Sequence, residues 1–274
     1  ADWAAVAYLR WLGMTETDIE CSELALNAGV DIDMCVEFYT NHLEQLVEEG
    51  RVSMETIDTA VRRVLEVKFK KNLFENPYCK MPIVDRTEHL KFAREVAAEC
   101  MVLLKNDNKV LPLSRDQKIA LLGPLVHERR ALLGSWAASG KAEETPTFYE
   151  AMVEAVGADH LITATDPTGL YDDSVRAMYK ADVVVLALGE SEKVTGERHS
   201  LSEITLSTAQ LELIRKAKYS GKKVIGVLFC GRPLAMEGIA DLLDGVLYAW
   251  HSGSETARAA CDLLFGDKVP SGKT

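Results

Sequence analysis

The stretch that decides the fold is DVVVLALGESEKVTGERHS, residues 182–200. Its first part, 182–189, is an almost unbroken apolar run closed by Gly189. A run of that length ending at a turn residue reads as a strand buried on both faces. Such strands belong to parallel sheets covered by helices on either side. In open sheets of this kind, sites lie past the carboxyl ends of the strands. Glu190, Glu192 and Glu197 fall there. On this stretch alone, a solvated acidic loop explains three glutamates better than a site does.

Working outward, further strand candidates are 118–123 (KIALLG), 160–165 (HLITAT), 222–229 (KKVIGVLF) and 245–250 (GVLYAW). Helical patterns separate them at 148–157, 173–181, 208–221 and 255–266. The alternation predicts an α/β domain with a mostly parallel sheet. Upstream, HLKFAREVAAECMVLL (89–104) reads as one long helix. Residues 74–88 carry Pro77 and Pro82 without periodicity and read as a linker. Before it, 3–12 is apolar enough for a buried helix, and 22–34 reads as a helix, Gly29 and a short strand VDIDM. Two helices follow, at 38–50 and 53–73, the second with Ile57, Val61, Val64, Leu65 and Phe69 at helical spacing. The expected organisation is 1–73 as one region with too few strands to close a sheet, a linker at 74–93, and an α/β domain at 94–274.

Hydrophobic residues make up 47% of the 274, enough for a sizeable core, and the net charge of −11 argues against a nucleic-acid partner. No apolar run reaches the roughly 20 residues of a membrane-spanning helix. Six cysteines are scattered without metal-ligand spacing, and Cys35, Cys100, Cys230 and Cys261 lie in apolar segments. They read as buried free thiols, which favours a reducing, cytoplasmic compartment.

Several motifs carry no chemistry. GDKVPSGKT (266–274) resembles a phosphate-binding loop but is one residue too long, and a helix precedes it where a strand is needed. No G-x-G-x-x-G follows a strand, and no G-x-S-x-G occurs. His42, His89, His127 and His160 stand alone. A different signal opens the chain. Asp2 precedes Trp3, and a carboxylate beside an indole suits a sugar, whose apolar face stacks on the ring. Glycoside hydrolysis needs two carboxyl groups flanking the bond. Asp2 and Glu197 can supply them, one from each region.

At this point the sequence resembles glycoside hydrolase family 3, in particular its bacterial β-glucosidase branch. ADWAAV (1–6) is similar to the family's S-D-W/H-G-A motif, and ALNAGVDIDM (25–34) with 48–78 to the end of its barrel domain. AREVAAECMVLLKNDNKVLPL (93–113) resembles the start of its second domain. LLGSWAASG (132–140), LGESEKVTGERHS (188–200), GRPLAM (231–236) and AWHSGSETARAACDLLFGDKVPSGK (249–273) continue the match in order. Two departures stand out. Ala1 replaces the usual Ser. The family's A-x-S-R after the acid/base is Arg198-His199-Ser200-Leu201 here, which leaves Arg198 as the substitute anchor of the loop.

The resemblance implies the end of a (β/α)8 barrel joined to an α/β sandwich, with VDIDM as the eighth barrel strand. It implies Asp2 as nucleophile and Glu197 as acid/base, on a loop reaching from the sandwich over the barrel mouth. Glu190 and Glu192 then shape the loop or face solvent. Trp3 and Met34 would line the substrate pocket. The implied activity is retaining, exo-acting hydrolysis of terminal β-linked sugars, with no metal or cofactor. The expected partner is a small saccharide or oligosaccharide, with no nucleic acid or membrane; a homo-oligomer stays open. Two alternatives remain: a glycoside phosphorylase, against which Glu197 argues although His199 is two residues away, and a non-catalytic sugar-binding fragment. Six upstream barrel units are implied as well, so the isolated chain is expected to be inactive.

Overall fold

The computed structural model describes residues 1–165, 172–197 and 199–274. The chain divides into two compact units, Ala1–Ile83 and Val84–Thr274.

The first unit holds four helices: α1 (Ala5–Trp11), α2 (Asp18–Asn27), α3 (Phe38–Glu48) and α4 (Met54–Lys70). Thr17 starts α2 with a reciprocal cap, its hydroxyl accepting from Glu20 N–H while the Glu20 carboxylate accepts from Thr17 N–H. Ser53 Oγ accepts from Thr56 N–H at 3.1 Å and starts α4. Leu26, Leu46, Val52 and Ala60 form a small core where α2, α3 and α4 meet.

Two expectations fail here. Residues 30–34 form no strand; a ladder needs a paired neighbour, and this unit holds no strand. In place of a ladder, the Ala1 amine donates to Ile32 C=O at 3.1 Å and Ala4 N–H donates to Met34 C=O at 3.0 Å. The helix expected at 3–12 is present but buries only its inner side, Val6 and Ala7, and leaves Trp11 and Leu12 exposed. The helix expected from the apolar stripe is present as α4, with Ile57 and Val64 half-buried and Val61, Leu65 and Phe69 exposed.

The second unit is a three-layer sandwich. Helix α5 (Arg86–Cys100) is capped by Asp85, whose carboxylate accepts from Thr87 N–H at 2.9 Å. The helix expected to continue to 104 stops at Cys100. Met101 turns to extended geometry, and Val102–Asn106 becomes strand β1. Strands β2 (Ile119–Leu122), β3 (Leu161–Ile162), β4 (Val183–Gly189), β5 (Lys223–Phe229) and β6 (Gly245–Tyr248) complete one sheet in the order β1-β6-β5-β4-β2-β3. Only the edge strand β1 is antiparallel to its neighbour.

Every residue of β4 is buried because alternate side chains enter two different cores. Val183, Val185 and Ala187 pack with β2, β5 and β6 residues against α5, α6 (Arg130–Leu133), α7 (Phe148–Val156) and α10 (Thr256–Leu264). Val184, Leu186 and Leu188 pack on the other side against α8 (Asp172–Lys180) and α9 (Thr208–Tyr219). The chain runs from β2 outward to β3, then returns past β2 to β4, β5 and β6. That reversal opens a crevice at the carboxyl edge of the sheet.

Candidate active site

Gly189 ends β4 with φ 134°, a conformation that L side chains rarely adopt. A Cβ there would overlap the Phe229 carbonyl on β5. Both backbone groups of Gly189 are taken by one side chain on α9. Gln210 Oε1 accepts from Gly189 N–H at 2.8 Å, and Gln210 Nε2 donates to Gly189 C=O at 2.9 Å. The next residue, Glu190, donates its N–H to Phe229 C=O at 2.9 Å and is 8% exposed.

A buried carboxylate needs a partner, and Glu190 has one. Arg232 Nε donates to its Oε2 at 3.2 Å. The same guanidinium donates through Nη2 to Val194 C=O, inside the loop that leads to Glu197. His251, past β6, has Nε2 3.2 Å from Glu190 C=O. Burial holds its imidazole below the usual histidine range, so it stays neutral and the bond calls for the Nε2–H tautomer. His251 Nδ1 is buried without a hydrogen-bond partner. Burial pushes the neighbouring Cys230 thiol up to about 12.

Beyond Val194, Thr195 is buried and packs on Gly231 so closely that a Cβ on Gly231 would collide with it. Gly196 lies against Ser135, a Cβ there falling 2.5 Å from the Ser135 hydroxyl. Glu197 then emerges exposed, in a turn beyond the carboxyl end of β4. A cavity of about 400 Å³ opens beside it, lined by Trp136, Thr195, Gly196, Cys230, Gly231 and His251 among others. Trp136 is 75% exposed. Glu190 therefore shapes the loop, and Glu192 sits half-buried in a 3-10 turn. Arg198 lies outside the described residues.

In the first unit, Asp2, Trp3 and Met34 stand together. Asp2 Oδ1 accepts from Trp3 N–H at 2.7 Å. Ala4, in left-handed geometry at φ 52°, ties this end to Met34 through its N–H. Asp2 and Met34 are exposed, and Trp3 is 67% exposed. Next to them, Asp33 Oδ2 accepts from Phe38 N–H at 2.7 Å and Tyr39 N–H at 3.2 Å, which fixes the start of α3 and the segment carrying Met34.

Arg232, His251, Gln210, Trp136 and Asp33 were not singled out as site residues from the sequence. Trp136, Arg232, His251 and Asp33 lie within stretches that carry the family resemblance and Gln210 does not, but which loop or segment each one meets is set only by the fold. Cys35 and Cys100 are exposed, against expectation. Cys35 sits at positive φ just past the segment 30–34, and Cys100 closes α5 on its outer side. Among the described residues, no three His, Cys, Asp or Glu side chains converge as a metal site.

The second unit thus carries a parallel sheet with a buried clamp at its carboxyl edge and an exposed carboxylate beyond it, and the first unit carries another exposed carboxylate followed by an indole. The chain belongs to glycosyl hydrolase family 3: residues 1–67 match the family's N terminal domain and residues 101–274 its C-terminal domain. The periplasmic beta-glucosidase of Salmonella typhimurium is 36% identical over 309 residues, covering 100% of this chain and 40% of the relative. A beta-xylosidase of Formosa agariphila is 31% identical over 287 residues, covering 95% of this chain and 39% of the relative. The crystal structure of a beta-glucosidase from Listeria innocua in complex with glucose superposes with a TM-score of 0.88 at 35% identity, covering 97% of this chain and 38% of that one. The chain thus spans about 40% of the length of the curated relatives it matches. The fold is the one expected, the end of a (β/α)8 barrel and an α/β sandwich.

The cytoplasmic expectation is overturned by the periplasmic location in the name of the Salmonella relative. Its basis was weak physically. Buried thiols such as Cys21, Cys230 and Cys261 act as small hydrophobes, and their being unpaired says little about compartment.

Proposed function

We propose that this chain supplies both catalytic carboxylates of a retaining, exo-acting β-glycosidase whose substrate ends in β-linked glucose. Asp2 attacks the anomeric carbon while Glu197 gives a proton to the departing oxygen. Glu197 then takes a proton from water, whose oxygen displaces Asp2 and releases the sugar with its configuration retained. Trp3 and Met34 border the sugar on the Asp2 side. Trp136 offers a second exposed ring in the cavity that Gly196, the residue before Glu197, helps to line. Glucose rather than xylose is favoured by the two beta-glucosidases, which are more similar to this chain than the beta-xylosidase. The division into residues 1–73, carrying Asp2, and 94–274, carrying Glu197, is part of the same reading.

The observation that carries the proposal is the exposed Glu197 at the end of a loop whose root, Gly189 and Glu190, is buried and hydrogen-bonded. A solvated acidic loop has no need of Arg232, Gln210 and His251 at its base. The test is leaving-group dependence in the full-length protein. Asp2→Ala abolishes turnover of every glycoside. Glu197→Ala loses disaccharide turnover but still releases dinitrophenol, which departs without a proton, and added azide yields the β-glycosyl azide. Equal losses on both substrates with no azide product would return Glu197 to the solvated surface.

A further inference from the structure

The Glu197 loop is anchored by a chain of contacts that runs across three strands. At the end of β6, Tyr248 is 3% exposed. Its hydroxyl donates to Arg232 C=O at 2.9 Å and accepts from Leu234 N–H at 2.6 Å. That fixes the backbone of Arg232 just past β5. The Arg232 side chain, 17% exposed, turns back toward β4. Its Nε holds the Glu190 carboxylate and its Nη2 holds the Val194 carbonyl. One planar fork thus joins the first residue after β4 to a carbonyl three residues before Glu197. A lysine ammonium, a point charge on a flexible stem, cannot span both acceptors with fixed geometry. His251 closes the third side on the Glu190 carbonyl.

We infer that Arg232, oriented by Glu190 and Tyr248, is the positioning residue that holds the proton-donating loop in its working geometry. It touches no reacting atom in this account. It fixes the path of the backbone over 190–195, and Glu197 takes its place from that path. This rests on the reading of Glu197 as the acid/base. General acid catalysis contributes about 10²–10⁴-fold and needs the donor within hydrogen-bond reach. A loosened loop loses part of that factor in each step, and only the first of them depends on the leaving group.

The experiment compares variants of the full-length protein on two glucosides, one with a dinitrophenyl and one with a sugar leaving group. Arg232→Met keeps the aliphatic stem and removes the fork. Its kcat/KM, which reports the step in which the leaving group departs, is expected to fall about 10–100-fold more on the disaccharide than on the dinitrophenyl glucoside. Arg232→Lys falls between Arg232→Met and the parent. Glu190→Gln keeps the acceptor but not the charge, gives a smaller loss of the same pattern, and carries the test should Arg232→Met not fold. Equal losses on both substrates, or none, would overturn the positioning role. Glu197→Ala, assayed alongside, separates the two claims. If Glu197→Ala discriminates between the substrates and the Arg232 variants do not, only the clamp is wrong. If Glu197→Ala does not discriminate, the acid/base reading falls and the clamp's function falls with it.

Discussion

Gln210 gives a prediction whose size can be worked from the structure. Its amide satisfies both backbone groups of Gly189, at 2.8 and 2.9 Å, in a buried position at the end of β4. Gln210→Leu preserves most of the volume and removes both partners. A buried polar group left unsatisfied costs roughly 1–3 kcal/mol. Two such groups, less the gain from a more apolar side chain, give about 2–4 kcal/mol. In a domain of 150–250 residues that lowers the midpoint of thermal unfolding by roughly 4–16 °C. Urea unfolding is the assay, read as a fall in the midpoint concentration with the slope unchanged. Amide exchange at Gly189 and Glu190 should accelerate with it, since the loop root opens where its bonds are lost. A loss under about 1 kcal/mol, with no change in exchange at Gly189, would refute the reasoning. It would mean that backbone or water takes over both groups.

Two further outcomes follow from buried charge. The pKa of His251 is lowered in the folded state by burial, so the unfolded chain binds a proton first as pH falls below the free histidine value of about 6.5. Stability is therefore full above that value and declines below it until the folded pKa is reached; His251→Asn should flatten this slope in urea titrations at pH 5–7. Arg94 grips Asp262 through two bonds of 2.7 and 2.5 Å, and Asp262 is almost wholly buried while Arg94 is partly exposed. Arg94→Met should cost about 2–3 kcal/mol by stranding the carboxylate, and the double variant with Asp262→Asn should cost less than the single one, as a double-mutant cycle would show.

Strands β2, β4 and β5 were legible because each feeds two apolar cores, and a strand buried on both faces is an uninterrupted apolar run. Strand β1 was not. Met101–Leu104 continue the apolar content of α5 without a Gly or Pro between, and only the pairing with β6 at the sheet edge makes them a strand. VDIDM shows the opposite failure. Its alternation is that of a strand, but strand status depends on a neighbour. At the site, the place of Glu197 could be read from β4 because it lies eight residues past Gly189. The clamp beneath it could not. Arg232 and His251 come from 42 and 61 residues beyond Glu190 and reach it only because β5 and β6 lie next to β4 in the sheet. Periodicity reports which face a residue takes, not which distant loop it meets.

The proposed covalent bond from Asp2 to the sugar can be measured directly. The full-length protein should be incubated with a dinitrophenyl 2-deoxy-2-fluoro-β-glucoside, digested and examined by mass spectrometry. The fluorine destabilises the oxocarbenium-like transition states of both steps, and the reactive leaving group restores the first, so the glycosyl-enzyme accumulates. One fluoroglucosyl group per protein is expected, on the peptide that contains Asp2, and none in Asp2→Ala. Label on any other residue, or turnover with inverted configuration and no label, would contradict it.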